Sequence, residues 1–125
     1  MKQAQTVLSI QTRRQGNSDI TRQVATWVGD QAIATGLLTV FLQHISAHLT
    51  LQEHADRDDL TTFFSRFEGA PTGDYGEFTG AITAASLAIP ISDGAMALGP
   101  RQRIYLHEHR ENPQSRHLVL HLVGE

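Results

Sequence analysis

The sequence predicts an α+β fold in which antiparallel-rich, β-sandwich-like sheets are combined with two helices. Three observations carry this reading. Stretches with period-two alternation, such as Leu38-Val40-Leu42 and Leu118-Leu120-Leu122, recur along the chain. Two other stretches repeat with helical period. The last two strand-like segments are joined by a short polar connection of hairpin type. Together they give about seven strands in a single domain over residues 1–125, long enough for one core.

Thr6 to Thr12 alternates as a first strand, and Arg13 to Asn17 reads as a turn. Ser18 is a helix N-cap candidate, with Asp19 suited to the positive helix end. Ile20, Val24, Trp27, Val28 and Gln31 then repeat with helical period, which predicts a helix over Asp19 to Ala34 closed by Gly36, with Trp27 as a core anchor. Leu37 to His44 and His48 to Glu53 are strands separated by a short break. Asp56 to Phe67 has Leu60, Phe63, Phe64 and Phe67 on one stripe and acids at its start, which predicts the second helix. Glu68 to Gly80 holds four glycines and one proline and is a loop. Ala81 to Ala85 reads as one or two helical turns. Ser86 to Ile91 is a strand, and Pro90 places it near an edge or a strand end. Ser92-Asp93-Gly94 is a turn. Arg103 to His109 and His117 to Val123 are the closing strands.

Composition narrows the function classes. The chain is 40% hydrophobic and 18% charged, with net charge −3, so it has no general attraction to nucleic acid or to an anionic membrane. It has no cysteine, hence no disulfide framework and no thiolate chemistry. No apolar run approaches the roughly 20 residues that span a bilayer. The N-terminal residues lack the apolar core of a secretory signal. A cytoplasmic protein is expected.

Polar residues in phase with buried ones mark the candidate site. Residues i, i+2 and i+4 of a strand share one face. His44 follows Leu38-Val40-Leu42 in phase, and Glu53 follows Leu49-Leu51. Gln102 precedes Ile104-Leu106, while Glu108 and then Arg110 follow it; Arg116 precedes Leu118-Leu120-Leu122. Unpaired burial of such groups is costly, so their convergence predicts a polar pocket. His44, Glu53 and Glu108 are the candidate catalytic residues, and Gln102, Arg110 and Arg116 the candidate anion-binding ones, since guanidinium forks suit phosphate or carboxylate. The alternative for these charges is a buried salt-bridge network.

Of seven histidines, His107, His109, His117 and His121 fall on the faces opposite the leucines and are expected to face solvent or a subunit interface. An H-x-H pair can chelate Zn²⁺, but no complete ligand set of familiar spacing accompanies it. The acidic junction of Glu53 and Asp56 suits Mg²⁺ or a helix cap equally. The cofactor, if one is used, is therefore open between Mg²⁺ and Zn²⁺.

Gln43-His44-Ile45-Ser46-Ala47-His48-Leu49-Thr50-Leu51-Gln52-Glu53, followed by Asp56, resembles the H-T-S-A-x-L-x-x-N-E-x-x-D core of the YjbQ family. Downstream, Ser86 to Ile91 with Gly94, the run Leu98 to Arg110, and Arg116 with Gly124-Glu125 resemble it in order. The resemblance implies a small α+β homotrimer that binds a phosphorylated ligand. It also implies a thiamine-phosphate synthase activity, which joins hydroxymethylpyrimidine pyrophosphate to a thiazole phosphate. In that reaction the arginines would hold phosphate and His44 would serve as general acid or polarise an oxygen. Two positions depart from the family pattern. Its G-T-W-Q stands here as Gly99-Pro100-Arg101-Gln102, and Tyr75 to Gly80 has no counterpart of its H-x-K histidine. Two alternatives follow: a non-catalytic trimer that binds a small anion, and a metal-dependent hydrolase using His44 and the acids.

Overall fold

The structure is a computed structural model that describes residues 1–53 and 85–125. Among these residues the elements are β1 (Lys2–Thr12), β2 (Gly16–Asp19), α1 (Thr21–Gly29), β3 (Gly36–Leu42), β4 (Ala47–Glu53), β5 (Ser86–Ser92), β6 (Ala95–Met96), β7 (Gln102–Glu108) and β8 (Gln114–Gly124). They form a five-stranded sheet ordered β1-β8-β3-β5-β6 and a three-stranded sheet ordered β2-β7-β4. Every strand pairing is antiparallel.

Period-two alternation builds the core. Leu38, Val40 and Leu42 of β3 lie opposite Leu122, Leu120 and Leu118 of β8, and all six are buried. The smaller sheet contributes Leu49, Ile104 and Leu106, and α1 closes the cluster with Val24 and Val28. Each fully buried leucine is worth roughly 1.5–3 kcal/mol relative to exposure, so this shared cluster is what holds the two sheets face to face. No helix among the described residues is long and apolar enough to cross a membrane.

The expected helix over Asp19 to Ala34 is shorter at both ends. Ser18 is not its cap: it lies in β2, opposite Leu106 of β7. The carboxylate of Asp19 instead accepts hydrogen bonds from the Thr21 amide at 3.0 Å and the Thr21 hydroxyl at 2.7 Å. At the other end the Asp30 amide is shared between the Thr26 and Trp27 carbonyls, and Ala32 then takes φ +55°. That left-handed residue stops the helix. Gly36 opens β3 rather than closing α1. A Cβ on Gly36 would lie 2.3 Å from the Val123 carbonyl oxygen, so the chains approach too closely there for any side chain.

The count also changes. Eight strands are found among the described residues where about seven were expected of the whole chain, because β2 and β6 are short segments without usable alternation. One helix, not two, is present among the described residues. The expected helix over 56–67, the loop over 68–80 and the turns over 81–85, apart from Ala85 itself, lie outside them. His107 does lie on the face opposite Leu106, but it is 2% exposed rather than solvent-facing. As a residue of the central strand β7 it is flanked by Asn17 of β2 and His48 of β4.

Candidate functional site

The inward face of β7 carries Ile104, Leu106 and Glu108, so the strand that builds the core ends on a carboxylate. On β8 the same alternation starts with Arg116 and continues into Leu118. The connection from β7 to β8 brings these two ends together. Arg116 Nε donates to Glu108 Oε1 at 2.7 Å and Arg116 Nη2 to Glu108 Oε2 at 2.5 Å, a two-pronged ion pair with both residues buried. Thr12 Oγ1 donates to Glu108 Oε1 at 2.7 Å, and the Arg110 amide donates to Oε2 at 3.1 Å. Burial acts to raise the Glu108 carboxyl, but the bonds from Arg116, Thr12 and the Arg110 amide outweigh it and hold the group below the usual carboxylate range.

Ser46, in the link between β3 and β4, is the hub of this end. Its hydroxyl oxygen accepts from Arg116 Nη2 at 2.7 Å and from Arg110 Nε at 3.0 Å, and its carbonyl accepts from Arg116 Nη2 at 3.2 Å and the His109 amide at 3.2 Å. With two donors on its oxygen, the Ser46 O–H proton is directed away from both arginines. Arg110 is exposed and spends only Nε on this contact.

His44 is half-buried beside them. Its Nε2 accepts the His117 amide at 3.0 Å, and the two rings stack with centroids 5.6 Å apart. An Nε2 that accepts is unprotonated, so the neutral ring carries its hydrogen on Nδ1. Burial, then the neighbouring Arg116 and His117, lowers the His44 pKa against the opposing pull of the Glu108 carboxylate, which favours this neutral form.

The sequence-predicted residues therefore divide. Glu108, Arg110, Arg116 and His44 meet at one end of the sandwich. Gln102 lies at the opposite end of β7, six residues or about 20 Å away. There its side-chain oxygen accepts the Gly99 amide at 2.7 Å while its own amide donates to the Gly99 carbonyl at 3.1 Å, which clasps the turn into β7. The backbone of Glu53 is paired with Gln102 at that same end; its side chain lies outside the described residues.

Thr12 and Ser46 were not among the predicted residues. Thr12 continues the inward phase of Leu8 and Ile10, a signal available in the sequence; Ser46 lies in a link without periodicity. Also missed was a stack of three imidazoles. His48 lies opposite His107 in the β4–β7 register, with ring centroids 4.5 Å apart at 8°, and His109 stacks on His48 at 4.6 Å. His48 Nδ1 and His109 Nε2 are 2.5 Å apart, His107 Nε2 meets the Thr50 hydroxyl at 2.6 Å, and His107 Nδ1 meets the Asn17 amide oxygen. Burial, followed by the neighbouring imidazoles, pushes the pKa of His48 down to about 2 and that of His107 to about 4. No group of three or more His, Cys, Asp or Glu side chains able to hold a metal is found among the described residues.

Residues 6–125 match the family model described as UPF0047 protein YjbQ-like. The chain is 33% identical over 138 residues to a UPF0047 protein from Synechocystis sp., covering 99% of this chain and 94% of the relative. It is 31% identical over 136 residues to the UPF0047 protein YjbQ of Escherichia coli O157:H7, covering 97% and 98%. Among solved structures, a YbjQ-like protein of unknown function from Sulfolobus solfataricus P2 superposes with a TM-score of 0.84 at 22% identity, covering 99% of this chain and all of the other. A hypothetical protein from Aeropyrum pernix K1 gives 0.80 at 26% identity, with complete coverage of both.

Proposed function

We propose that this chain, which belongs to the YjbQ-like UPF0047 family, binds a small phosphorylated anion where Arg110, Ser46 and His44 meet. The observation that carries the reading is a charge left over. Glu108 and Arg116 neutralise each other, and both Glu108 oxygens are occupied. Arg110 remains as a positive group with its two Nη nitrogens turned to no protein acceptor among the described residues. The Ser46 O–H and the Nδ1–H of neutral His44 add two donors of the kind that phosphate oxygens accept. Arg116 supports the site indirectly, by fixing Ser46.

Calorimetric titration of inorganic pyrophosphate into the wild type, Arg110→Ala and Arg110→Lys tests this. A charge-assisted bond is worth about 1.5–3 kcal/mol, so Arg110→Ala should weaken binding by roughly 10- to 100-fold, with partial retention in Arg110→Lys. Equal affinity in wild type and Arg110→Ala would sink the reading.

The transferase reading asks more of the same cluster: that it hold the pyrophosphate released when hydroxymethylpyrimidine pyrophosphate is joined to thiazole phosphate. Its support is the anion-competent donor set together with the resemblance of the motif around His44. His44 would then polarise an oxygen from Nδ1–H, since its Nε2 is already engaged. Thiamine phosphate formed by the wild type and not by Arg110→Ala would establish it, whereas pyrophosphate binding without turnover leaves a binding protein. Among the described residues the metal-dependent hydrolase has the least support, because both Glu108 oxygens are already taken by protein donors.

A further inference from the structure

Strand β7 ends at Glu108, so His109 and Arg110 lie beyond the last rung of its ladder. The residues that follow, Glu111 to Pro113, are exposed. Arg110 nevertheless keeps its Nε on the Ser46 hydroxyl. Two bonds from backbone amides hold this exit, His109 to the Ser46 carbonyl at 3.2 Å and Arg110 to Glu108 Oε2 at 3.1 Å. A third hold is made by side chains. His48 Nδ1 and His109 Nε2 are 2.5 Å apart, far closer than the ring centres at 4.6 Å, so the rings meet through their nitrogens, one donating and the other accepting. His48 stands two residues after Ser46, and His109 one residue before Arg110. The imidazole bond therefore ties together the same two segments as the Ser46–Arg110 bond.

The inner end of this tie is fixed. His48 is buried and lies against His107, with ring centres 4.5 Å apart at 8°. His107 is in turn held at both nitrogens, by the Asn17 amide oxygen and the Thr50 hydroxyl. Strands β2, β4 and β7 thus set the plane of His48 together, and half-buried His109 is the residue it reaches. We infer that the His48–His109 hydrogen bond positions Arg110, holding the exit from β7 against the entry to β4 so that the guanidinium is in place before an anion arrives. Its bearing on ligand affinity rests on the anion site proposed above. A long side chain loses rotamer freedom on binding, and loses less when its backbone and Nε are already held. Neither histidine touches the ligand; both act through Arg110.

Two measurements separate positioning from binding. Without ligand, the Nε–H resonance of Arg110, identified by its absence in Arg110→Lys, reports through its exchange with water whether the Ser46 bond holds. His48→Phe keeps a ring against His107 but removes the bonding nitrogen. Exchange should then quicken by roughly 3- to 10-fold, the weight of one hydrogen bond, while the indole N–H of Trp27 exchanges as in the wild type. His109→Phe removes the same bond at a half-buried position where folding is less at stake, and should have the same effect. The double variant should be no worse than either single one. His48→Asn, whose amide stands near the place of Nδ1, should restore slow exchange. Pyrophosphate affinity by calorimetry should follow the same order. Wild-type exchange at Arg110 in both Phe variants, even with a lowered unfolding midpoint, would overturn the inference, as would additive effects in the double variant. Faster exchange in the Phe variants, with no pyrophosphate bound by the wild type, would uphold the positioning of Arg110 and sink the anion site instead.

Discussion

Glu108 and Arg116 face each other across the end of the core, joined by two hydrogen bonds of 2.7 and 2.5 Å with both side chains almost fully buried. Eight residues separate them in sequence, and they come from different sheets. The pair therefore does two jobs. It terminates the apolar core without leaving a charge unpaired, and it fixes Ser46 and, through it, Arg110 at the surface. Its effect on the Ser46–Arg110 cluster is positional, whereas its effect on stability is direct.

Removing one partner should be more harmful than removing both. Arg116→Met leaves a buried carboxylate and Glu108→Gln a buried guanidinium, and each should cost about 3–5 kcal/mol. The double variant Glu108→Leu/Arg116→Met buries no charge and should recover part of that loss. Urea unfolding midpoints at constant slope report the difference. A double variant as unstable as the summed single variants would show that the two side chains act independently.

Both halves of this pair were legible in the sequence, because Glu108 and Arg116 continue the phase of Leu106 and Leu118 on strands whose alternation is clean. The leucine rows of β3 and β8 were legible for the same reason. Gln102 has the same phase as Glu108 but stands at the other end of β7, and periodicity along a strand says nothing about distance from a site. The imidazole stack depends on His48 lying opposite His107, a register between strands that no single-strand pattern encodes. The length of α1 was overread because its end is set by a left-handed Ala32, a conformation alanine does not announce. Strand β2 has only four residues and no apolar side chain, too few for a period to register.

The stacked histidines give the fold a pH dependence with a definite sign. An ordinary histidine titrates near 6.5, whereas folded His107 stays neutral to about 4 and His48 to about 2. Below pH 6.5 the unfolded chain thus binds more protons than the folded one, and stability falls with falling pH. The loss runs from about 6.5 down to about 4 for His107 and continues below that for His48. Each fully discriminating group contributes up to about 1.4 kcal/mol per pH unit. The Glu108 carboxyl adds a loss of the same sign only below its ordinary value of 4.5. His107→Phe keeps an aromatic ring beside His48 but cannot take a proton. The slope of unfolding free energy between pH 6 and pH 5 should therefore be shallower in His107→Phe than in the wild type. Identical slopes would remove His107 from the account.

Gly36 and Gly124 lie opposite each other where β3 meets β8, and both are fixed by backbone rather than by side-chain neighbours. A Cβ on Gly124 would stand 2.1 Å from the Thr35 carbonyl oxygen. That carbonyl accepts the Glu125 amide at 2.8 Å, while the Glu125 carbonyl accepts the Ala34 and Thr35 amides, so the backbone there has little room to yield. Gly124→Ala should consequently destabilise the fold by about 2–3 kcal/mol, the range for overpacking a fixed site. Gly99 is the control. A Cβ there meets only the flexible end of the Gln102 side chain, at 3.2 Å, so Gly99→Ala should stay within about 1 kcal/mol of the wild type. Thermal unfolding of the two variants side by side separates the cases. Equal melting temperatures would mean that the β3–β8 junction opens at little cost, and that the close approach of Gly36 and Gly124 does not hold the end of β8 in place.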